Sequence, residues 1–155
     1  MAVKRRYLRE KALQVLYAFE LTKDPIEQIK HLQLADIEKK EDLTFINSLV
    51  DYTITNGDEY EKTIKTTVDN WDMERIALID SIIIKMCMTE FTCFEDVPTK
   101  VSINEAIDIA KEFSTKNSGK FVNGVLDAIL VNLKSQNKIN KKGKGLIGEK
   151  KPAVT

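Results

Sequence analysis

Residues 73–94 read MERIALIDSIIIKMCMTEFTCF, and the assignment of this stretch decides the fold. Ile76, Leu78, Ile79, Ile82, Ile83, Ile84, Met86, Cys87, Met88 and Phe91 make it apolar nearly all round, leaving a narrow polar strip of Ser81, Lys85, Thr89 and Thr92. An isoleucine run also suits a strand. The sustained length and the helical spacing of the polar strip argue against one. A helix of this pattern is the central member of a helical bundle. Asp72 is its candidate cap, and Asp96-Val97-Pro98 ends it, because the residue before a proline is disfavoured in the α region.

Working outward, residues 4–21 read KRRYLREKALQVLYAFEL. Leu8, Ala12, Val15, Leu16 and Phe19 fall on one face at 100° per residue, which is the core face. Arg6, Glu10, Leu13 and Tyr17 follow a second line about a quarter turn away. Leu13 and Tyr17 on it meet either another helix of the bundle or a separate protein. Asp24-Pro25 marks the start of a short helix over 25–39, and a further helix begins near Glu41 and carries Leu43, Ile46, Leu49, Val50 and Ile54 at the same period, with Asn56-Gly57 as a candidate break. The pattern then continues weakly through Tyr60, Ile64 and Val68. Downstream, Ser102-Ile103-Asn104-Glu105 reads as a capping box opening a helix that runs to Phe113. A last helix starts near Lys120, with Gly124 inside it as a candidate point of close helix approach. The expectation is an all-α fold of about six to seven helices.

Charge is unevenly distributed. Lys4, Arg5, Arg6, Arg9 and Lys11 against Glu10 give residues 4–11 a net +4, and six lysines against Glu149 give residues 135–155 a net +5. Because the whole chain sums to zero, residues 12–134 carry −9. Two basic ends flanking an acidic body present a local positive field to a polyanion. After Leu133 the composition turns to Lys, Gly, Asn and Ser, which predicts one domain over 1–134 and a disordered, solvated, lysine-rich tail over 135–155. No apolar run approaches the roughly 18 residues of a membrane span, and the start is too cationic and periodic for a signal peptide, so a cytoplasmic protein is expected. Cys87 and Cys93 lack zinc-site spacing and read as reduced buried thiols. His31 is the sole histidine, on a polar helix, and no phosphate-binding glycine loop occurs. A binding protein without cofactor or metal is favoured over an enzyme.

Residues 97–129, VPTKVSINEAIDIAKEFSTKNSGKFVNGVLDAI, resemble the signature of the NusB family of transcription antitermination factors, VPxKVxINEAxxxAKxF followed by SxKFVNGVLxxI. Arg5-Arg6, Arg9-Glu10, Ala12-Leu13-Gln14 and Leu16-Tyr17 resemble the family's first helix, and Asp80 to Phe91 its central one. The resemblance covers about residues 4–133. It implies a bundle in two small helical subdomains that catalyses no reaction. The implied partners are boxA RNA of ribosomal RNA operons, the small-subunit ribosomal protein acting as NusE, and the transcribing RNA polymerase complex.

By the same resemblance, Lys4, Arg5, Arg6 and Arg9 with Lys120 and Phe121 form the RNA site, joined by backbone amides after Ser118, while Leu13, Tyr17 and Asp80 belong to the partner surface. Cations neutralise phosphates, and an aromatic at a helix start stacks on an unpaired base. Phe121 as a core residue, and Asp80 as a surface carboxylate near a helix N-terminus, remain the alternatives. So do a homodimeric helical adaptor and an accessory domain related to that of ribosomal RNA cytosine methyltransferases. Tyr7 and Leu8 interrupt the arginine run, and Ser81, Lys85, Thr89 and Ser114 depart from the family's usual residues.

Overall fold

A computed structural model describes residues 4–68 and 76–143. Among them the chain forms seven helices and no strand: α1 (Arg5–Thr22), α2 (Ile26–Gln33), α3 (Lys40–Thr55), α4 (Gly57–Thr67), α5 (Leu78–Cys93), α6 (Thr99–Phe113) and α7 (Ser118–Ser135). The all-helical expectation holds. Helix α5 is the hub against which α1, α3, α4, α6 and α7 all pack. Helices α1 to α3 make one group and α6 with α7 another, yet their buried apolar residues form one continuous cluster through Ile82, Ile83, Ile84, Met88 and Phe91 of α5. Asp72, the expected cap of the central helix, lies outside the described residues.

Direction follows from contacts. Arg9 in the first half of α1 meets Glu90 near the end of α5, whereas Leu16 and Phe19 share a groove with Leu78 and Ile82 at its start. Ser102 of α6 also meets Glu90, and Ser118, beyond the end of α6, meets Asp80. Helices α1 and α6 thus run parallel to each other and antiparallel to α5.

Side-chain capping is where the sequence signals misled. Asp24 does not cap α2, whose N-cap is Pro25, and Ser102 with Glu105 makes no capping box. Helix α6 begins a turn earlier, at Thr99 after Pro98, which leaves Ser102 inside the helix donating to the Glu90 carboxylate at 2.8 Å and Glu105 bound to Arg6. Nor does the polar strip of α5 face water throughout. The Thr89 hydroxyl is fully buried, 2.8 Å from that of Thr53 and 3.2 Å from that of Tyr60, linking α3, α4 and α5. Gly124 sits on an exposed face of α7, so it is not a point of close helix approach among the described residues.

Past α7, residues 136–143 are mostly exposed yet follow a defined path. Asn137 takes a left-handed conformation, φ 57°, and the Asn137 and Lys138 amides donate to the Lys134 and Leu133 carbonyls at 3.1 and 3.0 Å. This Schellman turn satisfies the last carbonyls of α7 and reverses the chain. Ile139 then packs against the core and the Lys141 side chain is buried.

Candidate nucleic-acid interface

Four cations in and before the first turns of a helix oppose its positive N-terminal dipole, at about 0.3–1 kcal/mol each near a surface. Helix α1 has no acidic residue in its first turn to relieve this. Relief comes from carboxylates of the loop after α5, of α6 and of α5 itself. Arg5 pairs with Asp96 at 3.8 Å and lays its guanidinium 4.6 Å from the Phe45 ring centroid. Arg6 binds Glu105 and, at 2.9 Å, Asp108; the Glu105 hydrogen bond holds its charge above the ordinary arginine range. Arg9 makes a two-pronged pair with Glu90, Nε at 2.9 Å and Nη2 at 2.8 Å. Burial opposes the Arg9 charge, and the Glu90 carboxylate more than offsets it.

These contacts sort the expected RNA residues. Arg9 is only 4% exposed, so it is a structural ion pair and not a phosphate contact. Arg6 is half-buried and engaged twice. Lys4 is exposed and Arg5 keeps half its side chain in solvent. Tyr7, interrupting the arginines, is exposed and donates its hydroxyl to Asp36, which pushes the phenol up and holds the Asp36 carboxyl down.

The second expected element is the start of α7. Ser118 is buried, and its hydroxyl donates to Asp80 Oδ2 at 3.0 Å while accepting from the Thr115 amide at 3.2 Å. Its side chain therefore joins two helix starts and is closed to RNA. The Ser118 and Phe121 amides already donate to the Thr115 and Asn117 carbonyls, leaving at most those of Gly119 and Lys120 for an anion. A Cβ at Gly119 would lie 2.8 Å from Lys111 Cε and 3.0 Å from its Cγ, so any larger residue there would displace the Lys111 side chain of α6. Lys120 is exposed; Phe121 is half-buried against the core.

The two elements lie at opposite ends of α5. Glu90, which holds Arg9, and Asp80, which holds Ser118, are ten residues or about 15 Å apart along the helix. Between them the α1–α6 seam passes Glu10 and Glu112, where burial and then the neighbouring Glu112 charge raise the Glu10 carboxyl. These two carboxylates make an acidic step on the seam.

On the expected partner surface, Leu13 is 3% exposed and belongs to the core, and Asp80 is 6% exposed. Neither is a surface contact. Tyr17 is exposed, as is Leu21 one turn on. Glu90, Asp108 and Lys141 escaped the sequence reading, and Ser102 and Glu105 entered it only as a capping box, not as partners of Glu90 and Arg6. Glu90 had a signal: a lone carboxylate in an apolar stretch of helix needs a buried partner. Among the described residues no group of His, Cys, Asp or Glu is arranged to hold a metal, and no helix is long and apolar enough to cross a membrane.

The sequence model of the NusB family matches residues 6–131. The chain belongs to the NusB family. It is 45% identical over 147 residues to a transcription antitermination protein NusB of Salinibacter ruber, covering 93% of this chain and 91% of that protein. It is 41% identical to a NusB of Chloroherpeton thalassium, over 95% and 71% of the two. Among solved structures, T. maritima NusB superposes with a TM-score of 0.78 at 30% identity, covering 84% of this chain and 93% of that one. A chain from a crystal structure of antitermination factors NusB and NusE in complex with dsRNA superposes at 0.74 and 22% identity, over 83% and 96%; that likeness is one of fold.

Proposed function

We propose that this chain is a transcription antitermination factor that binds boxA RNA of ribosomal RNA operons together with the ribosomal protein NusE and acts on the transcribing polymerase. It works in the cytoplasm, by binding and without catalysing a reaction. The observation that carries this reading is the exposure of Lys4 and half of Arg5 at the start of α1, in a chain 45% identical to an antitermination protein. Lys120 and the half-buried Phe121 supply a second contact, and Tyr17 with Leu21 is the line offered to NusE.

The test is a titration of boxA-like and scrambled RNA, with and without NusE, at two salt concentrations. Tighter binding of the boxA-like strand in the presence of NusE is expected. Substituting Arg5 by Gln lowers the salt slope by about 0.7, the share of one phosphate contact on a single strand. Equal affinity for both RNAs with NusE present refutes the proposal.

A further inference from the structure

Arg5 and Arg6, the first two residues of α1, each make one contact sheltered by the body and one that faces solvent. The Arg5 guanidinium carbon lies 4.6 Å from the centroid of the buried Phe45 ring, which in turn packs edge-on against Phe94 at 5.3 Å. Its Nη2 reaches Asp96 Oδ2 at 3.8 Å, and that carboxylate stands largely in solvent. Arg6 binds Glu105, the better buried of its two partners, through Nε. It turns Nη2 to Asp108 Oδ2 at 2.9 Å, where half of the aspartate side chain is exposed. Arg9 differs, because both of its bonds go to one buried carboxylate, Glu90.

The backbone that carries Asp96 is held in place. Lys141 inserts its ammonium at the end of α5, donating to the Glu90 carbonyl at 2.8 Å and the Phe94 carbonyl at 2.7 Å. These are final carbonyls of a helix, so a buried cation there satisfies open acceptors and complements the negative end of the dipole. The Lys142 amide donates to the Glu95 carbonyl at 3.0 Å. Asp96 follows directly, so its carboxylate is presented to Arg5 from a fixed backbone while its side chain is free to turn into water. An ion pair between exposed side chains is a weak contact, since each partner is well solvated alone. A phosphate oxygen suits the same guanidinium edge as a carboxylate oxygen does. Exchanging one anion for the other at Nη2 leaves the Phe45 and Glu105 contacts, which aim the two arginines, intact.

We propose that Asp96 and Asp108 are placeholders: in the free protein they occupy the positions on Arg5 and Arg6 that RNA phosphates take in the complex, and their displacement sets the affinity of this end of the site. On binding, each guanidinium–carboxylate pair at Nη2 breaks, a guanidinium–phosphate pair forms, and the freed aspartate turns to solvent. Arg6 thereby joins the phosphate contacts through Nη2 alone. Arg9 does not, because Glu90 has no solvent to turn into. The placeholders work against RNA, so removing them strengthens binding. The inference rests on the RNA-binding reading above and concerns the regulation of that same site.

The experiment is a double-mutant cycle on the full chain, binding a boxA-like single strand in the presence of NusE. Asp96→Asn should bind about 2- to 5-fold more tightly than the wild type, the equivalent of one exposed ion pair no longer to be broken. In an Arg5→Gln background the same substitution should change affinity by less than about 1.5-fold, because no pair is left to release. Asp108→Asn is measured in the same way with and without Arg6→Gln, and the Asp96→Asn/Asp108→Asn variant should gain by about the product of the two single effects. Melting temperatures confirm that each variant is folded. Unchanged or weaker binding by Asp96→Asn and Asp108→Asn overturns the proposal. Equal gains with and without the arginine overturn it too, since they would reflect only the lost negative charge. Either result leaves the RNA-binding reading intact, whereas a wild type that binds no RNA overturns that reading instead.

Discussion

Replacing Arg9 by Met separates the structural role of this arginine from an RNA role. Glu90 is 2% exposed and receives two guanidinium bonds and one from the Ser102 hydroxyl. Methionine keeps most of the apolar length but leaves the carboxylate with a single side-chain donor. Breaking a buried pair from one side costs about 3–5 kcal/mol, because the remaining charge is uncompensated. For a chain of this size each kcal/mol moves the melting point by about 2–4 °C, so a fall of roughly 6–20 °C is expected. Arg9→Met/Glu90→Leu removes both charges and should recover most of that loss, less about 1 kcal/mol for the stranded Ser102 hydroxyl. The assay is thermal and urea unfolding followed by circular dichroism, with RNA affinity measured where each variant is folded. A melting point within 2 °C of wild type, joined to lost RNA affinity, would return Arg9 to the RNA surface. A double variant no better than the single would also refute the reasoning.

Other outcomes follow from the same geometry. Asp80→Lys should unfold or strongly destabilise the protein, while Asp80→Asn keeps the Ser118 contact at a cost of about 1 kcal/mol; a stably folded Asp80→Lys protein that fails to bind NusE would restore Asp80 as a surface contact. Burial pushes the Cys87 thiol well up, whereas Cys93 is half-buried. Native protein at pH 8 should therefore alkylate at one cysteine and urea-unfolded protein at two; two labelled in the native state refutes this. Since the folded thiol holds its proton above the value at which the unfolded one ionises, near pH 8.5, its contribution is complete below that pH. It is lost as pH rises further, by up to about 1.4 kcal/mol per unit. The Glu10 carboxyl is raised by burial and by Glu112, so the ionised pair disfavours folding above the ordinary carboxylate range. Glu112→Gln should stabilise by a few tenths of a kcal/mol at pH 7 and not at pH 3, and should tighten RNA binding; equal effects at both pH values would rule out charge repulsion.

The order of the helices was legible because burial imposes its period on the chain: Leu8, Ala12, Val15 and Leu16 mark the core face of α1, and all four are buried. Helix starts were less so. None of the seven helices uses a side-chain cap, so the Ser, Asp and Glu residues that usually mark such starts were available for other contacts. The packed segment after Ser135 was masked by its composition. Polar residues dominate it, yet one left-handed asparagine and one buried lysine suffice to hold it against the body.

The candidate site was legible as a set of charges but not as a field. The three arginines of α1 were visible in sequence; the carboxylates that bind Arg5, Arg6 and Arg9 lie from 81 to 102 positions away, and nothing local announces those pairings. The fold requires them. A helix that begins with arginines gains from anions near its first turn, and α1 obtains them by packing against α5 and α6 instead of carrying its own. The same neutralisation that lets the helix start there spends most of its attraction for phosphate. On the proposed reading, discrimination between RNAs rests on what is added to α1: Lys120 and Phe121 beyond the Glu10–Glu112 step, and a protein bound at Tyr17. Because the step repels phosphate, a strand held by α1 alone gains little from its sequence on that reading. Selectivity should appear only in strands long enough to pass the acidic step and reach α7.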